Sequence, residues 1–263
     1  MKTSINLQFV QLPILLVLIA GTFTGCSVQK RLKQNRERDI HLSSAVPEIN
    51  KTREVEILTV FFGLDNDLNR LSRFLYKNAP GQDGMPVVFS HELDPGTLDA
   101  SDFEVTTKNG QKYKIEAVTL LPAEEEFELR TLLLIGEYGN YPDNPPVHFE
   151  IIGDLMTRTG VNYKGQGKEI IPLEEGPLLS YAEYFTFTED YPYVESGMGC
   201  DCPKEETQMV VKAVWAGGVR ALNGDELGES ELNNFKVTMV QGNDTIIVSP
   251  FQLADLNDND NNI

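Results

Sequence analysis

Short runs rich in β-branched and aromatic residues recur along residues 85–188, and turn-forming residues separate them. The runs lie at 86–90, 103–107, 112–121, 128–135, 147–153 and 184–188. The turn signals include Asp94-Pro95-Gly96 and Asn109-Gly110. Strands of this length and spacing are typical of an antiparallel β-sandwich and not of alternating strand and helix units. The spacing therefore predicts an all-β protein with a β-sandwich at 85–188.

Residues 54–84 precede this sandwich and show two different periods. Residues 55–62 form a β-rich run that ends at Gly63. Leucines then recur at the spacing that places them on one stripe of a short helix, at Leu64, Leu68, Leu71 and Leu75. Asp65 or Asn66 is available as the helix N-cap. We predict a strand-helix lead-in at 54–84 that packs against the sandwich.

The first 25 residues have the parts of a bacterial export signal. Lys2 gives a positive start, residues 12–20 are mostly apolar, and small residues lead to the cysteine in Phe23-Thr24-Gly25-Cys26. The quartet resembles a lipobox, in which the cysteine becomes lipid-modified after cleavage. We expect residues 1–25 to be a lipoprotein signal peptide and Cys26 to carry the lipid. An uncleaved membrane anchor and an ordinary cleaved signal are the alternatives.

A basic stretch follows the predicted lipidation site. Within residues 26–53, five basic side chains lie close together, at Lys30, Arg31, Lys33, Arg36 and Arg38. Each such charge contributes on the order of 1 kcal/mol to binding at an anionic membrane surface. We predict that 26–53 is a basic tether. It either lies against the anionic membrane surface or serves as a spacer with no preferred contact. The residue after Cys26 is Ser27, and not the aspartate that favours retention in the inner membrane, so we expect the protein at the outer membrane. Both the periplasmic and the surface face of that membrane are compatible with the sequence.

Beyond residue 53 the chain is strongly acidic. Residues 1–53 hold 8 of the 22 Lys and Arg and 3 of the 40 Asp and Glu, which leaves 14 basic and 37 acidic side chains and a net charge of −23. Such a body repels nucleic acid, so we expect no nucleic-acid partner. Cations or basic patches on other proteins suit this negative charge better as partners than nucleic acid does. An acidic surface that merely keeps an exported protein soluble is the alternative.

The start of the predicted sandwich is similar to a known family. Val88-Phe89-Ser90, Leu93-Asp94-Pro95-Gly96-Thr97-Leu98 and Ser101-Asp102-Phe103-Glu104-Val105 resemble the opening of bacterial Ig-like domains of the surface-layer type. Gly153-Asp154-Leu155 resembles a later stretch of such domains, and Phe185-Thr186-Phe187-Thr188 resembles their closing strand. The resemblance implies an Ig-like sandwich that serves as a non-catalytic spacer or adhesive module.

A second Ig-like copy is predicted at residues 209–263. Six residues recur at a constant offset of 132, where Phe103, Val105, Thr106, Gly110, Ile115 and Leu121 match Phe235, Val237, Thr238, Gly242, Ile247 and Leu253. Val88-Phe89-Ser90 corresponds loosely to Val214-Trp215-Ala216. A polar run at 255–263 stands where a closing strand is expected. The second copy is therefore predicted to be incomplete, with an unpaired edge and an uncovered apolar face.

Cys200 and Cys202 lie in the predicted linker 189–208, between Gly199 and Pro203. If Cys26 is lipidated, these two cysteines are left in an oxidising compartment. A bridge between cysteines one residue apart would be strained and easily reduced. The sequence leaves four alternatives for them, namely a disulfide to another cysteine, a local bridge, a metal site and free thiols.

The acidic run near residue 255 shares one feature with calcium loops. Asp255, Asn257 and Asn259 place oxygen ligands at alternate positions. The run lacks the glycine that an EF-hand loop has at its sixth position. A Ca²⁺ site is therefore one interpretation, and a solvated acidic tail is the other. No other cofactor is predicted.

Aromatic residues and carboxylates alternate between residues 181 and 193. Tyr184, Tyr191 and Tyr193 could stack on sugar rings while nearby carboxylates accept hydrogen bonds from sugar hydroxyls. A buried strand followed by an exposed turn would show the same pattern. The sequence therefore suggests either a glycan platform or core packing, and core packing is the simpler interpretation.

Motifs that would indicate catalysis are missing from the sequence. It has no Gly-x-Ser-x-Gly elbow, no zinc-binding His-Glu-x-x-His and no Gly-Lys-Ser/Thr phosphate loop. We therefore predict no enzyme, but an envelope lipoprotein that presents Ig-like domains for binding, adhesion or structural support, with an envelope protein or a glycan as partner. The alternatives are a calcium- or carbohydrate-binding surface protein and a secreted hydrolase.

Overall fold

The structure is a computed structural model, and it describes residues 4–7, 54–121, 129–176, 178–186, 206–219, 221–223, 227–241 and 243–253. Within these ranges the chain forms β-strands and short 3-10 helices, and no α-helix. The strands are β1 (Ser4–Leu7), β2 (Ile57–Val60), β3 (Asp83–Phe89), β4 (Phe103–Thr107), β5 (Lys112–Lys114), β6 (Ala117–Thr119), β7 (Thr131–Gly136), β8 (Pro146–Ile151), β9 (Gly167–Glu169), β10 (Leu179–Thr186), β11 (Met209–Trp215), β12 (Val237–Gln241) and β13 (Asp244–Val248). The 3-10 helices lie at Arg70–Phe74, Pro95–Thr97, Ala100–Asp102, Leu173–Glu175 and Glu229–Asn234. None of the helices in the described ranges has the length and apolar character needed to span a membrane.

Two four-stranded antiparallel sheets form a sandwich between β2 and β9. One sheet has the strand order β2-β3-β7-β6, and the other has the order β5-β4-β8-β9. Their facing sides enclose one hydrophobic core. Within it, the rings of Phe103 and Phe149 stack at 5.9 Å, and those of Phe89 and Tyr163 meet edge to face at 4.9 Å. The predicted all-β sandwich fold is confirmed.

The β5-β4-β8-β9 sheet buries only one face. In β4, Phe103, Val105 and Thr107 are buried on the core side, while Glu104 and Thr106 are half-buried on the other side. Successive side chains of a strand point to opposite faces, so this alternation is what a sheet with one solvated face requires. The strand predicted at 103–107 is therefore visible in the sequence as an alternating pattern, and β4 has the same bounds.

The β2-β3-β7-β6 sheet is buried on both faces. Its inner face, which includes Val87 and Leu132, lines the sandwich core. A first outer cluster joins it to the ribbon β10-β11 and consists of Phe61, Val88, Tyr181, Val214 and Ala216. A second outer cluster joins it to the segment before β3 and consists of Leu64, Leu68, Ala79 and Ile135. The strand β3 therefore lies in the middle of three layers.

Residues 64–75 do not form the predicted helix. Leu64 and Leu68 are buried, but Leu71 is 36% exposed, and a 3-10 helix forms at Arg70–Phe74 instead. Its N-cap is Asn69, whose side chain accepts hydrogen bonds from the backbone N–H groups of the next turn. The prediction of a helix capped by Asp65 or Asn66 is therefore wrong.

Backbone hydrogen bonds to the start of β3 explain this difference. Leu64 exchanges both of its backbone hydrogen bonds with Gly84, and the Leu68 N–H donates to the carbonyl of Gln82. In the predicted helix the Leu68 carbonyl would accept from the Ser72 N–H, but it accepts from the Gly81 N–H instead. Asn66 also has a φ of +56°, in the left-handed region that a right-handed helix excludes.

Two strand predictions also change. The run predicted at 112–121 is divided into β5 and β6, which belong to different sheets, with buried Ile115 between them. The predicted closing strand at 184–188 overlaps β10, which pairs in the described residues with β11 and with neither sandwich sheet. The lead-in strand β2 pairs with β3 and is part of the sandwich.

The strand β1 lies inside the segment that we predict to be a signal peptide. It pairs antiparallel with β12, and β12 pairs on its other side with β13. If cleavage before Cys26 removes residues 1–25, β12 loses this neighbour.

Truncation of one core ring tests how far stability depends on the sandwich interior. Phe149 is 0% exposed and stacks on Phe103, so Phe149→Ala should lower the free energy of unfolding by about 3–5 kcal/mol. Phe74→Ala makes the same change at a ring that is 53% exposed and should cost about 0.5 kcal/mol. Urea unfolding measures both. Equal losses in the two variants would show that this core is not the main source of stability.

Candidate interaction surface

Most of the site residues predicted from the sequence lie outside the described residues. These are Cys26, Cys200, Cys202, Asp255, Asn257, Asn259, Tyr191 and Tyr193. Tyr184 is described, and it lies half-buried in β10 opposite Val211 of β11. The lipidation site, the cysteine alternatives and the calcium site therefore stay predictions.

Tyr181, in the same aromatic run as Tyr184, packs in the interior. It is 7% exposed and belongs to the cluster that joins the β10-β11 ribbon to the sandwich. The guanidinium of Arg130 lies 4.7 Å from the centre of its ring, and its hydroxyl donates to Glu183 Oε2 at 2.7 Å. For this tyrosine, core packing is the correct interpretation.

A buried serine hydroxyl, paired with a half-buried imidazole, fastens the lead-in to the sandwich. Ser90 Oγ lies 2.8 Å from His91 Nδ1 and accepts a hydrogen bond from the Glu56 N–H at 2.9 Å. The Arg130 guanidinium donates to the Ser90 carbonyl, and the Tyr163 hydroxyl accepts from the His91 N–H, both at 3.2 Å. A nucleophile must be able to reach its substrate, but Ser90 is 2% exposed. These contacts therefore indicate a structural role for the pair.

A buried carboxylate connects two loops of the first sheet. Asp83, the first residue of β3, is 0% exposed. Its Oδ1 accepts from the Asn66 N–H and its Oδ2 from the Tyr138 N–H, both at 2.7 Å. Nearby, Asp65 Oδ2 accepts from the Tyr141 N–H at 2.8 Å. Burial raises the pKa of the Asp83 carboxyl to about 6, although the two N–H groups oppose the increase.

Further acidic side chains surround this carboxylate. Burial raises the pKa of Glu137, and the negative charges of Glu116 and Asp65 raise it further. Burial also raises the pKa of Tyr138 well above its usual value. Nevertheless, no group of three or more His, Cys, Asp or Glu in the described ranges is arranged to hold a metal ion. The hydrogen bonds of Asp83 and Asp65 indicate that these carboxylates hold the two loops together.

Burial of Asp83 should make the fold more stable in mild acid than at neutral pH. The pKa of this carboxyl is about 6 in the folded chain and about 3.8 when unfolded, so the folded chain binds a proton at pH values where the unfolded chain does not. As the pH falls from about 7 to about 4, this group should add on the order of 1–3 kcal/mol of stability.

Urea unfolding at several pH values checks this, with Asp83→Asn as the variant that cannot titrate. The increase in stability should be smaller in Asp83→Asn than in the wild type. Asp67→Asn removes a carboxylate from an exposed position of the same loop and controls for the general loss of one negative charge. Parallel curves for the wild type and Asp83→Asn would rule out this carboxyl as the cause.

The ribbon β10-β11 repeats the first strand pair of the sandwich. The strands β3 and β11 have seven residues each. Both pairs contain a register shift at the same place, between Ile57 and Thr59 in β2 and between Leu179 and Tyr181 in β10. The residues opposite these positions are Phe89 and Val88 in β3, and Trp215 and Val214 in β11. The two strand pairs thus share a bulge at equivalent positions. We call β10 to β13 the second unit, and the second Ig-like copy at 209–263 stays a prediction.

The hairpin β12-β13 follows in the second unit as β4-β5 follows in the first. A 3-10 helix precedes each hairpin, at Ala100–Asp102 and at Glu229–Asn234. Val105 and its sequence counterpart Val237 are both buried. Ile115 is 6% exposed, whereas its counterpart Ile247 is 65% exposed. The sandwich core covers the first isoleucine, and nothing in the described part of the second unit covers the other.

The strand β13 is exposed along its whole length. Ile246 is 56% exposed and Ile247 is 65% exposed, and they point to opposite faces of the hairpin. Phe251, which is 54% exposed, follows shortly after. Among the described strands β13 pairs with β12 alone, so its second edge presents unpaired backbone groups. We name β13 together with Phe251 the open strand and regard it as the candidate interaction surface.

The corresponding edge of the first unit differs from the open strand. The strand β5 is also an edge strand, but it has three residues, and its two lysines are exposed. Short, charged edge strands resist pairing with other chains. The open strand has five residues in β13, with Ile246-Ile247-Val248 at its centre and end. This contrast indicates an edge that is suited to pairing.

Comparisons with known proteins add little to this description. No protein-family model matches the sequence, and no curated protein matches it. The N-terminal part of the bacterial S-layer protein SbsC matches with 11% identity and a TM-score of 0.33, over 85% of this chain and 53% of that chain. The structure of domains 1–6 of surface layer protein SbsC matches with 10% identity and a TM-score of 0.30, over 85% of this chain and 34% of that chain.

This chain therefore spans about half of one of these structures and about a third of the other. At such values neither match carries an argument about function. The assignment as an all-β sandwich depends on the sheets and the core described above.

Proposed function

We propose that this chain is a lipid-anchored envelope protein that acts without catalysis, by presenting Ig-like β-sandwich units for contact with other proteins. A lipid on Cys26 and the basic tether 26–53 would hold these units beside the outer membrane. The observation that carries the binding role is the open strand.

Two properties of the open strand suit it to protein contact. Its free edge offers backbone donors and acceptors, which an added strand from another chain can pair with. Its side chains Ile246, Ile247 and Val248 offer apolar area that a partner can cover. Strand addition uses these two components together, because the main chain gives affinity and the side chains give specificity.

Exposed apolar residues are also denser in the second unit than in the sandwich. In the described part of 206–253 they are Met209, Leu222, Ile246, Ile247, Val248 and Phe251. In the described part of 54–176, which is more than twice as long, they are Leu71, Phe74, Tyr141, Ile152 and Val161. Clustering of apolar surface in one region is typical of an interaction site.

The charge of the chain supports a protein partner over a nucleic acid. The net charge of −23 beyond residue 53 opposes binding to phosphate backbones. Tyr184, the described member of the predicted glycan platform, is half-buried, so a protein partner is also better supported than a glycan.

Metabolic labelling tests the proposed anchor. Cells that express the full chain are grown with radiolabelled palmitate. The wild-type chain should carry the label, whereas Cys26→Ser should carry none and leave the membrane fraction. Cys200→Ser removes a different cysteine and should keep both the label and the membrane location. An unlabelled wild type, or a Cys26→Ser variant that still fractionates with membranes, would contradict a lipid anchor at this residue.

A further inference from the structure

We propose that the open strand pairs with the open strand of a second copy of this chain, antiparallel and across a two-fold axis. This inference rests on the proposed function, since it names the partner of the surface described there. It follows from the direction of the backbone groups, the register that they allow and the charges at the two ends of the strand.

The hairpin geometry decides which backbone groups point outward. The register of β12 and β13 pairs Gln241 with Asp244, which leaves a two-residue turn between them. In such a hairpin the residues next to the turn exchange hydrogen bonds, and every second residue does so along the strand. The N–H and C=O groups of Thr245 and Ile247 therefore point away from β12, toward the free edge.

These outward groups permit a symmetric register. If Thr245 pairs with Ile247 of the partner subunit, the two residues exchange both backbone hydrogen bonds, and two-fold symmetry repeats this on the other side. Ile246 then faces the partner's Ile246 in a non-hydrogen-bonded pair, where the Cα atoms are about 4.5 Å apart and side chains are closest. The most apolar part of β13 is thus at the centre of the contact.

The charges at the ends of β13 are complementary in this arrangement. Asp244 is the charged residue within the strand. At the other end, Lys236 Nζ donates to Ser249 Oγ at 2.5 Å, which places a positive charge beside Val248. Antiparallel pairing brings Asp244 of the partner subunit opposite Val248, near this lysine.

A parallel arrangement lacks this advantage. It would place two Asp244 side chains next to each other, and like charges directly opposite each other are destabilising. In the antiparallel arrangement the two carboxylates are about 13 Å apart, which exceeds the screening length of about 8 Å at physiological ionic strength. The charge pattern of β13 therefore fits a second copy in one direction only.

The net charge of each copy predicts how the pairing responds to salt. Two bodies of −23 repel each other over a screening length of about 30 Å at 0.01 M salt and about 8 Å at 0.15 M. Pairing of two copies should therefore increase with salt over this range. Pairing with a basic strand from another protein would decrease.

Disulfide trapping at the centre of the contact tests the proposal in the full chain, in unfractionated cell lysate that keeps both membrane-bound and released copies. Ile246→Cys, in a background with Cys200→Ser and Cys202→Ser, should form a covalent dimer on a non-reducing gel, because a Cα distance of about 4.5 Å allows a disulfide. Leu222→Cys, at a side chain that is 70% exposed, controls for random collisions. We expect at least about five times more dimer from Ile246→Cys. Equal yields, or no dimer at Ile246→Cys, would overturn the proposal.

A second pair of variants separates strand pairing from other contacts. Thr245→Pro removes an outward N–H and leaves the hydrogen bonds to β12 in place, so it should abolish the Ile246→Cys dimer. Thr245→Val keeps the N–H and should preserve the dimer. A dimer that survives Thr245→Pro would show that Ile246 meets its copy without pairing of the two β13 strands, and would contradict the proposal.

A charge exchange keeps the test decisive if Thr245→Pro unfolds the hairpin. Asp244→Lys places positive charges at both ends of the strand and should lower the dimer yield. Asp244→Lys together with Lys236→Asp restores opposite charges at the ends and should recover it. A dimer yield that stays low in the double variant would exclude the antiparallel pair. A dimer yield that falls as salt rises in the chain with Asp244 and Lys236 unchanged would exclude it as well. The trapping is independent of palmitate labelling, so loss of the anchor and loss of the dimer are distinguishable.

Discussion

Burial of β3 on both faces is the constraint on which the rest of the structure depends. Its inner face forms one wall of the sandwich core, and its outer face is covered as well because exposing its apolar side chains to water costs free energy. The segment 64–79 supplies one part of that cover, and the β10-β11 ribbon supplies the other. Asp83 begins β3, and its buried carboxylate holds the loops at 66 and 138 through two backbone hydrogen bonds.

The second unit repeats the first strand pair and hairpin but not the cover. Val214 and Tyr181 of its ribbon are buried because the first unit provides a surface for them. Its hairpin has no such surface in the described residues, and Ile246 and Ile247 are exposed in consequence. A unit with one covered part and one open part can be held firmly by the first unit and still offer an edge to another chain, as the proposed binding role requires.

The sequence predicts some elements well for a physical reason. The strand at 103–107 has one buried and one solvated face, so its alternation is visible in the residues themselves. The leucine stripe at 64–75 gave the wrong element, because hydrogen bonds from Leu64 and Leu68 to the start of β3 compete with helix formation. The open edge of the second unit was predicted from the repeat. The exposure of Ile246 and Ile247 was not predicted, because two adjacent isoleucines do not show by themselves whether a distant part of the chain covers them.

The sequence by itself determined the all-β class, the approximate positions of most strands of the sandwich and the acidic body. These depend on local periodicity, turn residues and charge, all of which are properties of neighbouring positions. Tertiary structure decided which sheet each strand joins, which faces are covered, and that β10 pairs with β11 instead of closing the sandwich. Pairing and burial join residues far apart in the chain, and a local pattern carries no information about which distant edge or face will meet it.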